Sequence, residues 1–312
     1  MAHPDGFPPV LIVGTGAMAC LFGARLAPHA SVTMLGTWTE GLEALKREGI
    51  RIEDDGSPQP IRVGVTGNPA DCAPAPLALV LVKSWQTARA AAMLRRCLAP
   101  DGIALTLQNG IGNLEILQQS LGRERAALGV TTFGATLLGP GCIRPGGDGI
   151  THIGAHARLG TLPDLLDLAG FRSDVVEDVH GLAWGKLVIN ASINPLAALL
   201  RVPNGALLEP GRQGAWQVAQ EAALEAAAVA AAEGVSLPFD DAVAQVAQVL
   251  KDTASNRSSM LQDVERGRPT EIEAINGQVV AGGDRHHLPV PVNRTLVRMV
   301  QSITPPCRGD GQ

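Results

Sequence analysis

Short apolar runs alternate with segments of helical character through the first half of the chain. Two of these runs, residues 10–13 and 77–82, are continuously hydrophobic, which is typical of strands buried on both faces of a parallel sheet. Beyond residue 183 the strand-like runs stop and helical spacing continues. The pattern predicts an α/β domain over residues 1–178, followed by an all-helical domain over residues 179–312.

Further apolar runs in the first half complete the predicted sheet. The last two are joined by a Gly/Pro-rich segment, predicted as a loop over 139–149, and favour an antiparallel pair at the end of the first domain. The acidic stretch 173–180 is predicted as the boundary. The further strands are predicted over 31–35, 102–107, 126–134 and 149–153. Helices of the second half are predicted over 185–195, 216–233 with Gly234 as its cap, and 240–250.

A glycine motif follows the first strand directly: Gly14-Thr15-Gly16-Ala17-Met18-Ala19. In a G-x-G-x-x-A motif the first glycine permits a tight turn, the second lets a pyrophosphate approach the backbone, and the small third residue lets the helix pack on the strand. The helix N-terminus adds N–H groups and a partial positive charge. The motif predicts that Gly14 to Ala19 bind a dinucleotide.

The end of the second strand should show which nucleotide is preferred, since an acid there favours NAD and an arginine favours NADP. This chain has Gly36, Thr37 and Trp38. Thr37 is a candidate to bond a phosphate, with Lys46 or Arg47 as a cation. Trp38 either stacks on adenine or packs on its own helix. The residues leave the choice between NADPH and NADH open.

Two polar residues follow neighbouring strands of the predicted sheet. Lys83 comes after the run 77–82, and Asn109 follows the run 102–107. Because ligands of open parallel sheets bind at the carboxyl ends of the strands, both residues are predicted near the ribose or nicotinamide of a cofactor. The alternative for each is a solvated lysine and a turn asparagine before glycine.

The predicted helix 185–195 carries Lys186, Asn190 and Asn194 at positions i, i+4 and i+8, which places them in one row. Most other residues of this helix are apolar, and Pro195 is expected to end or kink it. An ammonium and two carboxamides in an apolar surround are costly to bury without a ligand. The alternative is a partly exposed stripe whose lysine reaches solvent.

A second segment with candidate functional residues lies near residue 270, and it is acidic. Thr270 and Glu273 have the spacing of a capping box, which makes Glu271 the first residue of a helix. The helix dipole would then favour the ionised carboxylate of Glu271.

Bulk properties exclude several classes. Over 312 residues the net charge is -5, which argues against a nucleic-acid partner. The 5 cysteines are scattered without metal-ligand spacing, as expected of reduced thiols in a cytoplasmic protein. We expect no secretory signal at the start, and no membrane partner, because no uninterrupted apolar stretch of about 18 residues occurs.

Several motifs together resemble the ketopantoate reductase (2-dehydropantoate 2-reductase) family, over almost the whole chain. The resemblance is strongest in the helical half. The matching elements are the glycine motif, Lys83, Gln108-Asn109-Gly110, Lys186-x3-Asn190-x3-Asn194-Pro195-Leu196, Pro203-Asn204-Gly205, 258–263 and Thr270-Glu271-Ile272-Glu273-x2-Asn276-Gly277.

The resemblance implies a Rossmann-type domain followed by a helical domain like that of 6-phosphogluconate dehydrogenase. It implies reduction of the C2 keto group of 2-dehydropantoate to pantoate, on the route to pantothenate and coenzyme A. The implied partners are NADPH and a small 2-oxo acid, with no metal and with a second copy of the chain as a homodimer. By the same resemblance, Lys186 is the general acid and Glu271 orients the substrate hydroxyl.

The remaining residue assignments also come from the resemblance. Asn190 and Asn194 correspond to residues that bind the hydroxyl and carbonyl of the substrate, and Asn256 and Ser259 to residues that bind its carboxylate or close the site. Asn109 is implied in contact with both substrate and cofactor. Lys83 and Glu271 complete the implied cofactor contacts, and Thr37 is added to them from the residues themselves, as the candidate at the end of the second strand.

One departure keeps two alternatives open. NADPH-dependent members of the family usually carry an arginine after the second strand, where this chain has Gly36 or Thr37. NADH therefore stays an alternative cofactor, and another branched 2-oxo acid an alternative substrate. A nucleotide-binding protein without turnover is less favoured, because such a protein needs neither Lys186 nor Glu271.

Overall fold

The structure is a computed structural model that describes residues 6–53 and 59–306. The described chain forms two compact units. One holds the residues up to Gln108 together with Asn113–Val179, and the other holds Asn109–Gly112 and the residues from His180 onward. Four cysteines are free thiols, and Cys307 lies outside the described residues.

All strands of the described chain belong to the first unit. They are β1 Val10–Val13, β2 Val32–Leu35, β3 Arg51–Ile52, β4 Gly64–Thr66, β5 Ala75–Val80, β6 Leu98–Thr106, β7 Ala126–Thr131, β8 Ala135–Gly139, β9 Cys142–Pro145, β10 Thr151–Gly154 and β11 Ser173–Val176.

The α-helices divide between the two units. They are α1 Ala17–Leu26, α2 Thr39–Glu48, α3 Thr87–Cys97, α4 Asn113–Leu121, α5 Leu162–Leu168, α6 Val179–Leu200, α7 Gln213–Ala232, α8 Ala242–Asp252, α9 Ser259–Glu265, α10 Asn276–His286 and α11 Pro291–Ile303. Across residues 6–53 and 59–306, no helix combines the length and apolar character that a bilayer crossing requires.

The large sheet has eight strands in the order β11-β10-β7-β6-β5-β1-β2-β4. Strands β4, β2, β1, β5, β6 and β7 are parallel, whereas β10 pairs antiparallel with β7 and β11 pairs parallel with β10. β1 lies between β2 and β5, so the chain leaves it in opposite directions on its two sides. This is the switch point of the sheet, and the glycine motif follows β1 there.

Both faces of the sheet are covered, which explains why its strands are continuously apolar. On one face Ile12 packs in a cluster with Phe22 of α1 and Phe171, whose rings are stacked with centroids 4.0 Å apart. On the other face Val13 packs in a cluster with Leu94 of α3 and further residues of α4. The predicted α/β class with buried parallel strands is confirmed.

One local prediction in this unit is wrong. The segment 139–149 is not a loop throughout, because it contains β9, which pairs with β8 and with β3 in a three-stranded sheet. The stretch 173–180, where the sequence predicts the domain boundary, also contains β11, a strand that the sequence analysis did not predict. Both strands are short, and each pairs with a strand that other elements separate from it in the chain, β9 with β3 in addition to its neighbour β8, and β11 with β10 across α5. Local composition does not reveal such pairing. The predicted antiparallel pairing at the end of the unit is confirmed in β7 and β10.

The second unit is helical, as predicted, and α6 supplies part of its core. Leu187, Val188 and Ala191 of α6 are at most 1% exposed. The helix does not end at Pro195 but continues to Leu200. Alanines of α7 pack in the same core, and the N–H of Gly234, which has a φ of +74°, donates to the Ala231 carbonyl after this helix. The predicted glycine cap is confirmed.

Candidate active site

The glycine loop divides its two glycines between folding and ligand access. Gly14 has a φ of +138°, and a Cβ there would lie 2.9 Å from the carbonyl oxygen of Leu81. Gly16 precedes α1, and a Cβ there would have no heavy atom of the described residues within 4 Å. Ala19 is fully buried, which allows α1 to approach the sheet. The open side of Gly16 at the N-terminus of α1 fits the pyrophosphate of a dinucleotide.

The turn after β2 carries the residues that the sequence proposes for the ribose end of the nucleotide. Thr37 is half-buried, and the indole ring of Trp38 packs on its own helix at Gly41. Lys46 and Arg47 lie in the last turn of α2, about 10 Å along the helix from its start. The structure thus puts these two basic residues at the end of α2 remote from Thr37.

Lys83 lies just beyond β5, in a turn that the side chain of Gln108 holds by hydrogen bonds. The Gln108 side-chain amide donates to the Val82 carbonyl at 3.0 Å and to the Thr87 hydroxyl at 2.8 Å. The Lys83 carbonyl accepts from the backbone N–H of Gln86. Residue patterns alone did not show that Gln108 hydrogen-bonds this turn, although Gln108 directly precedes Asn109.

Asn109 belongs to the second unit, together with the three residues that follow it. Gly110 has a φ of +80°, and a Cβ there would collide with the carbonyl group of Ala274. The N–H of Ile111 donates to the same carbonyl oxygen at 3.0 Å. The segment therefore packs on the turn that begins at Glu271.

The row of polar residues on α6 holds the residues that the sequence predicts to carry the chemistry of the second unit. Lys186 and Asn190 are partly buried, and Asn194 is 7% exposed. Burial lowers the pKa of Lys186 to about 8, and the carboxylate of Glu271 raises it in opposition. The ammonium therefore loses its proton more readily than that of an ordinary lysine.

Glu271 is 6% exposed and does not begin a helix. The predicted capping box is wrong, because α10 begins only at Asn276. The hydroxyl of Thr270 is buried without a hydrogen-bond partner in the described chain, and the Glu273 carboxylate accepts from Gln301 instead of bonding backward. A tertiary contact of Glu273 therefore takes the place of the local cap.

Asn256 and Ser259 lie on the surface of the loop before α9 and at its first residue. The Asn256 carbonyl accepts from the N–H of Asn204 at 2.9 Å, and the Asn204 side-chain amide donates to the Thr253 hydroxyl at 3.0 Å. Ser258 is buried and caps α9. Sequence reasoning missed this role of Asn204, although its Asn-Gly turn was a signal.

The candidate residues therefore fall into two sets, one in each unit. The first unit holds those predicted to bind the nucleotide, and the second those predicted to bind and protonate the substrate. The first set is Gly14, Thr15, Gly16, Ala17, Met18, Ala19, Thr37 and Lys83; the second is Asn109, Lys186, Asn190, Asn194, Asn256, Ser259 and Glu271.

A Rossmann-type sheet with a glycine loop at its switch point, combined with a helical unit that desolvates a lysine beside a glutamate, defines a dinucleotide-dependent oxidoreductase. Family models agree: "Ketopantoate reductase PanE/ApbA" matches residues 10–158, and "Ketopantoate reductase PanE/ApbA C terminal" matches residues 178–304. The chain belongs to the ketopantoate reductase family, as its motifs predicted, and the family makes its cofactor a nicotinamide dinucleotide.

Individual relatives cover nearly the whole chain. The 2-dehydropantoate 2-reductase of Halobacterium salinarum is 38% identical over 303 residues, which span 94% of this chain and 97% of the relative. That of Archaeoglobus fulgidus is 36% identical over 299 residues, with the same coverage of 94% and 97%.

Solved structures confirm the fold class. A PanE/ApbA family ketopantoate reductase from Ralstonia eutropha JMP134 has a TM-score of 0.87 and 32% identity, covering 95% of this chain and 98% of its own. A ternary structure of D-mandelate dehydrogenase with NADH and anilino(oxo)acetate has a TM-score of 0.88 at 24% identity, with coverage of 95% and 98%. At that identity the second likeness concerns the fold alone.

The two glycines of the loop should respond differently to the same substitution. Gly14→Ala should destabilise the fold by about 1–3 kcal/mol, because its positive φ and the Leu81 carbonyl both oppose a side chain. Gly16→Ala should leave unfolding by urea unchanged but weaken binding of both NADPH and NADH, measured by fluorescence titration. Undiminished affinity in Gly16→Ala would refute the assignment of this loop to the pyrophosphate.

Proposed function

We propose that this chain reduces 2-dehydropantoate to pantoate, a step toward pantothenate and coenzyme A, with NADPH as its preferred reductant. The observation that carries the proposal is the desolvated Lys186, which lies beside Glu271 and in one row with Asn190 and Asn194. In this proposal the domain of residues 1–178 binds the nucleotide, and that of residues 179–312 binds and protonates the substrate. We also expect a homodimer in the cytoplasm, as the family resemblance implies.

A reduced nicotinamide held by the first unit would supply the hydride for reduction of the keto carbon. As the carbonyl becomes an alkoxide, its oxygen needs charge stabilisation and a proton. Lys186 Nζ is the proposed source of both, because an ammonium in a poorly hydrated site stabilises a developing oxyanion more strongly than it would in water. A pKa of about 8 leaves Lys186 largely protonated at neutral pH while making it a stronger acid than an ordinary lysine.

The other residues of the second set are proposed to hold the substrate. Glu271 accepts a hydrogen bond from the substrate hydroxyl, while the carboxamides of Asn190 and Asn194 bond its hydroxyl and carbonyl oxygens. Asn256 and Ser259, both exposed, bond its carboxylate. This arrangement requires no protein nucleophile, because hydride transfer forms no acyl or phosphoryl intermediate.

The first set is proposed to hold the nucleotide. The N–H groups from Gly14 to Ala19 bind the pyrophosphate, Lys83 and Asn109 bind near the nicotinamide ribose, and Thr37 bonds the 2′-phosphate. The preference for NADPH rests on the family resemblance, and the turn after β2 gives it little support, since Lys46 and Arg47 lie at the other end of α2.

Removal of the proposed acid separates an enzyme from a nucleotide-binding protein. Lys186→Ala should reduce turnover of ketopantoate by about 10²–10⁴-fold, the usual contribution of a positioned proton donor, while binding of NADPH stays nearly unchanged. Turnover is measured by loss of absorbance at about 340 nm, where the reduced nicotinamide absorbs. Lys251→Ala, an exposed lysine of α8, is the matched control. Full activity of Lys186→Ala would refute the mechanism.

The rate should depend on pH in the direction that an acid with a lowered pKa dictates. Lys186 acts in its protonated form, so kcat/KM should fall as the pH rises through about 8, well before an ordinary lysine would lose its proton. The profile is measured between pH 6 and about 10 at saturating NADPH. A rate that stays constant across this range is the contrary result.

A cation at the end of β2 should change nucleotide preference. Thr37→Arg should raise the ratio of kcat/KM for NADPH over NADH about tenfold, as expected from one charge-assisted hydrogen bond to the 2′-phosphate. Ser31→Arg, at the opposite end of β2, adds the same charge and should leave the ratio unchanged. Equal ratios in the two variants would contradict the assignment of Thr37.

A further inference from the structure

Proline in the interior of α6 removes one hydrogen bond from the helix that carries Lys186. Pro195 has no N–H, so the carbonyl of Ala191, four residues earlier, loses its helical donor. Ala191 is fully buried, and water cannot replace that donor. The carbonyl lies between Asn190 and Asn194 along the chain. The proposed substrate face therefore adjoins a buried gap in the helical bonding.

Asn276 fills this gap from another segment. Its side-chain Nδ2 donates to the Ala191 carbonyl at 2.9 Å and to Asn293 Oδ1, also at 2.9 Å. Asn276 is fully buried, and its own Oδ1 has no hydrogen-bond partner in the described chain. Within the described chain, the side-chain amide of Asn276 therefore hydrogen-bonds only as a donor, through Nδ2.

The orientation of both amides is determined by groups on α7. Asn293 Nδ2 donates to the Ala222 carbonyl at 3.1 Å and to Glu225 Oε2 at 2.8 Å, so Asn293 Oδ1 must face Asn276. The Glu225 carboxylate also accepts the backbone N–H groups of Val292 and Asn293, both at 2.9 Å. A continuous series of hydrogen bonds therefore runs from α7 to Asn293 of α11, then to Asn276 of α10, and ends at the Ala191 carbonyl of α6.

Asn276 is also tied closely to Glu271. The carbonyl of Glu271 accepts from the N–H groups of Ala274 and Ile275, both at 3.1 Å, and Ile275 directly precedes Asn276. The next turn is closed by the N–H of Gly277, which donates to the Ile272 carbonyl at 2.9 Å. A displacement of Asn276 would therefore displace the turn on which Glu271 sits.

We propose that Asn276 is a positioning residue: by bonding the carbonyl that Pro195 leaves open, it holds the turn of Glu271 in one register against the helix of Lys186. This inference rests on the proposed function, because it assigns Asn276 a role through the proposed acid and its carboxylate partner. Asn276 itself acts only through these two residues.

The test removes the bond and then satisfies the carbonyl by other means. Asn276→Leu should lower kcat by roughly 10- to 100-fold, as expected for a small misplacement of reacting groups, with little change in KM for NADPH. Since Glu271 is the charged group of the described chain that raises the pKa of Lys186, its displacement should also move the alkaline limb of kcat/KM below about pH 8. Asn276→Ser, smaller and still polar, is the second variant and should change both quantities in the same direction.

The Pro195→Ala background separates positioning from simple stabilisation. There an N–H at position 195 can bond the Ala191 carbonyl, so Asn276→Leu should lower Tm less than it does in the parent. If Asn276 positions Glu271, adding Asn276→Leu to Pro195→Ala should lower kcat and shift the alkaline limb as much as adding Asn276→Leu to the parent does. Recovery of kcat and the limb together with Tm would overturn the proposal.

Lys186→Ala, assayed in parallel, keeps the two hypotheses distinct. If it loses turnover while Asn276→Leu keeps the parental kcat and pH limb, the positioning role fails and the proposed function stands. If Lys186→Ala keeps full turnover, the proposed function fails first. A fall in both variants, with the shifted limb, supports both.

Discussion

An ammonium group that is taken out of water loses hydration energy, and α6 is organised around that cost. Leu187 and Val188 anchor the helix in the core, so it cannot rotate to expose the partly buried Lys186 further without exposing them as well. Glu271 offsets part of the cost through its charge, and desolvation still dominates, which leaves the pKa at about 8. The same imbalance makes the residue suited to proton donation near neutral pH.

Two departures from regular backbone structure lie at the elements that are proposed to carry the chemistry. Gly14 adopts a positive φ next to the Leu81 carbonyl, which opens the phosphate loop at the switch point of the sheet. Pro195 leaves the Ala191 carbonyl without a helical donor, and Asn276 supplies one from a separate segment. A residue with regular backbone conformation in place of Gly14 would remove the loop. An ordinary helical residue in place of Pro195 would remove the need for the hydrogen bond from Asn276 that connects α6 to the turn of Glu271.

Agreement between prediction and structure follows the range of the interactions involved. β1 is predicted over its full length, because strands covered on both faces are apolar at every position. β9 and β11 were missed: both are short, and part of the pairing that forms them, β9 with β3 and β11 with β10, joins residues separated by other elements. The capping box at Thr270 failed for a related reason: Glu273 has a partner in Gln301, 28 residues away, which local spacing cannot reveal.

Buried strands such as β1, the glycine loop and the polar row of α6 follow from residues close together in the chain, so the amino-acid sequence by itself determines them. Packing alone determines that Asn109 joins the unit of Glu271, that Lys186 is desolvated, and that Asn276 bonds Ala191. Desolvation and buried hydrogen bonds depend on which distant side chains exclude water and which donors remain within reach. The degree of desolvation and the set of available donors are therefore defined only in the folded chain.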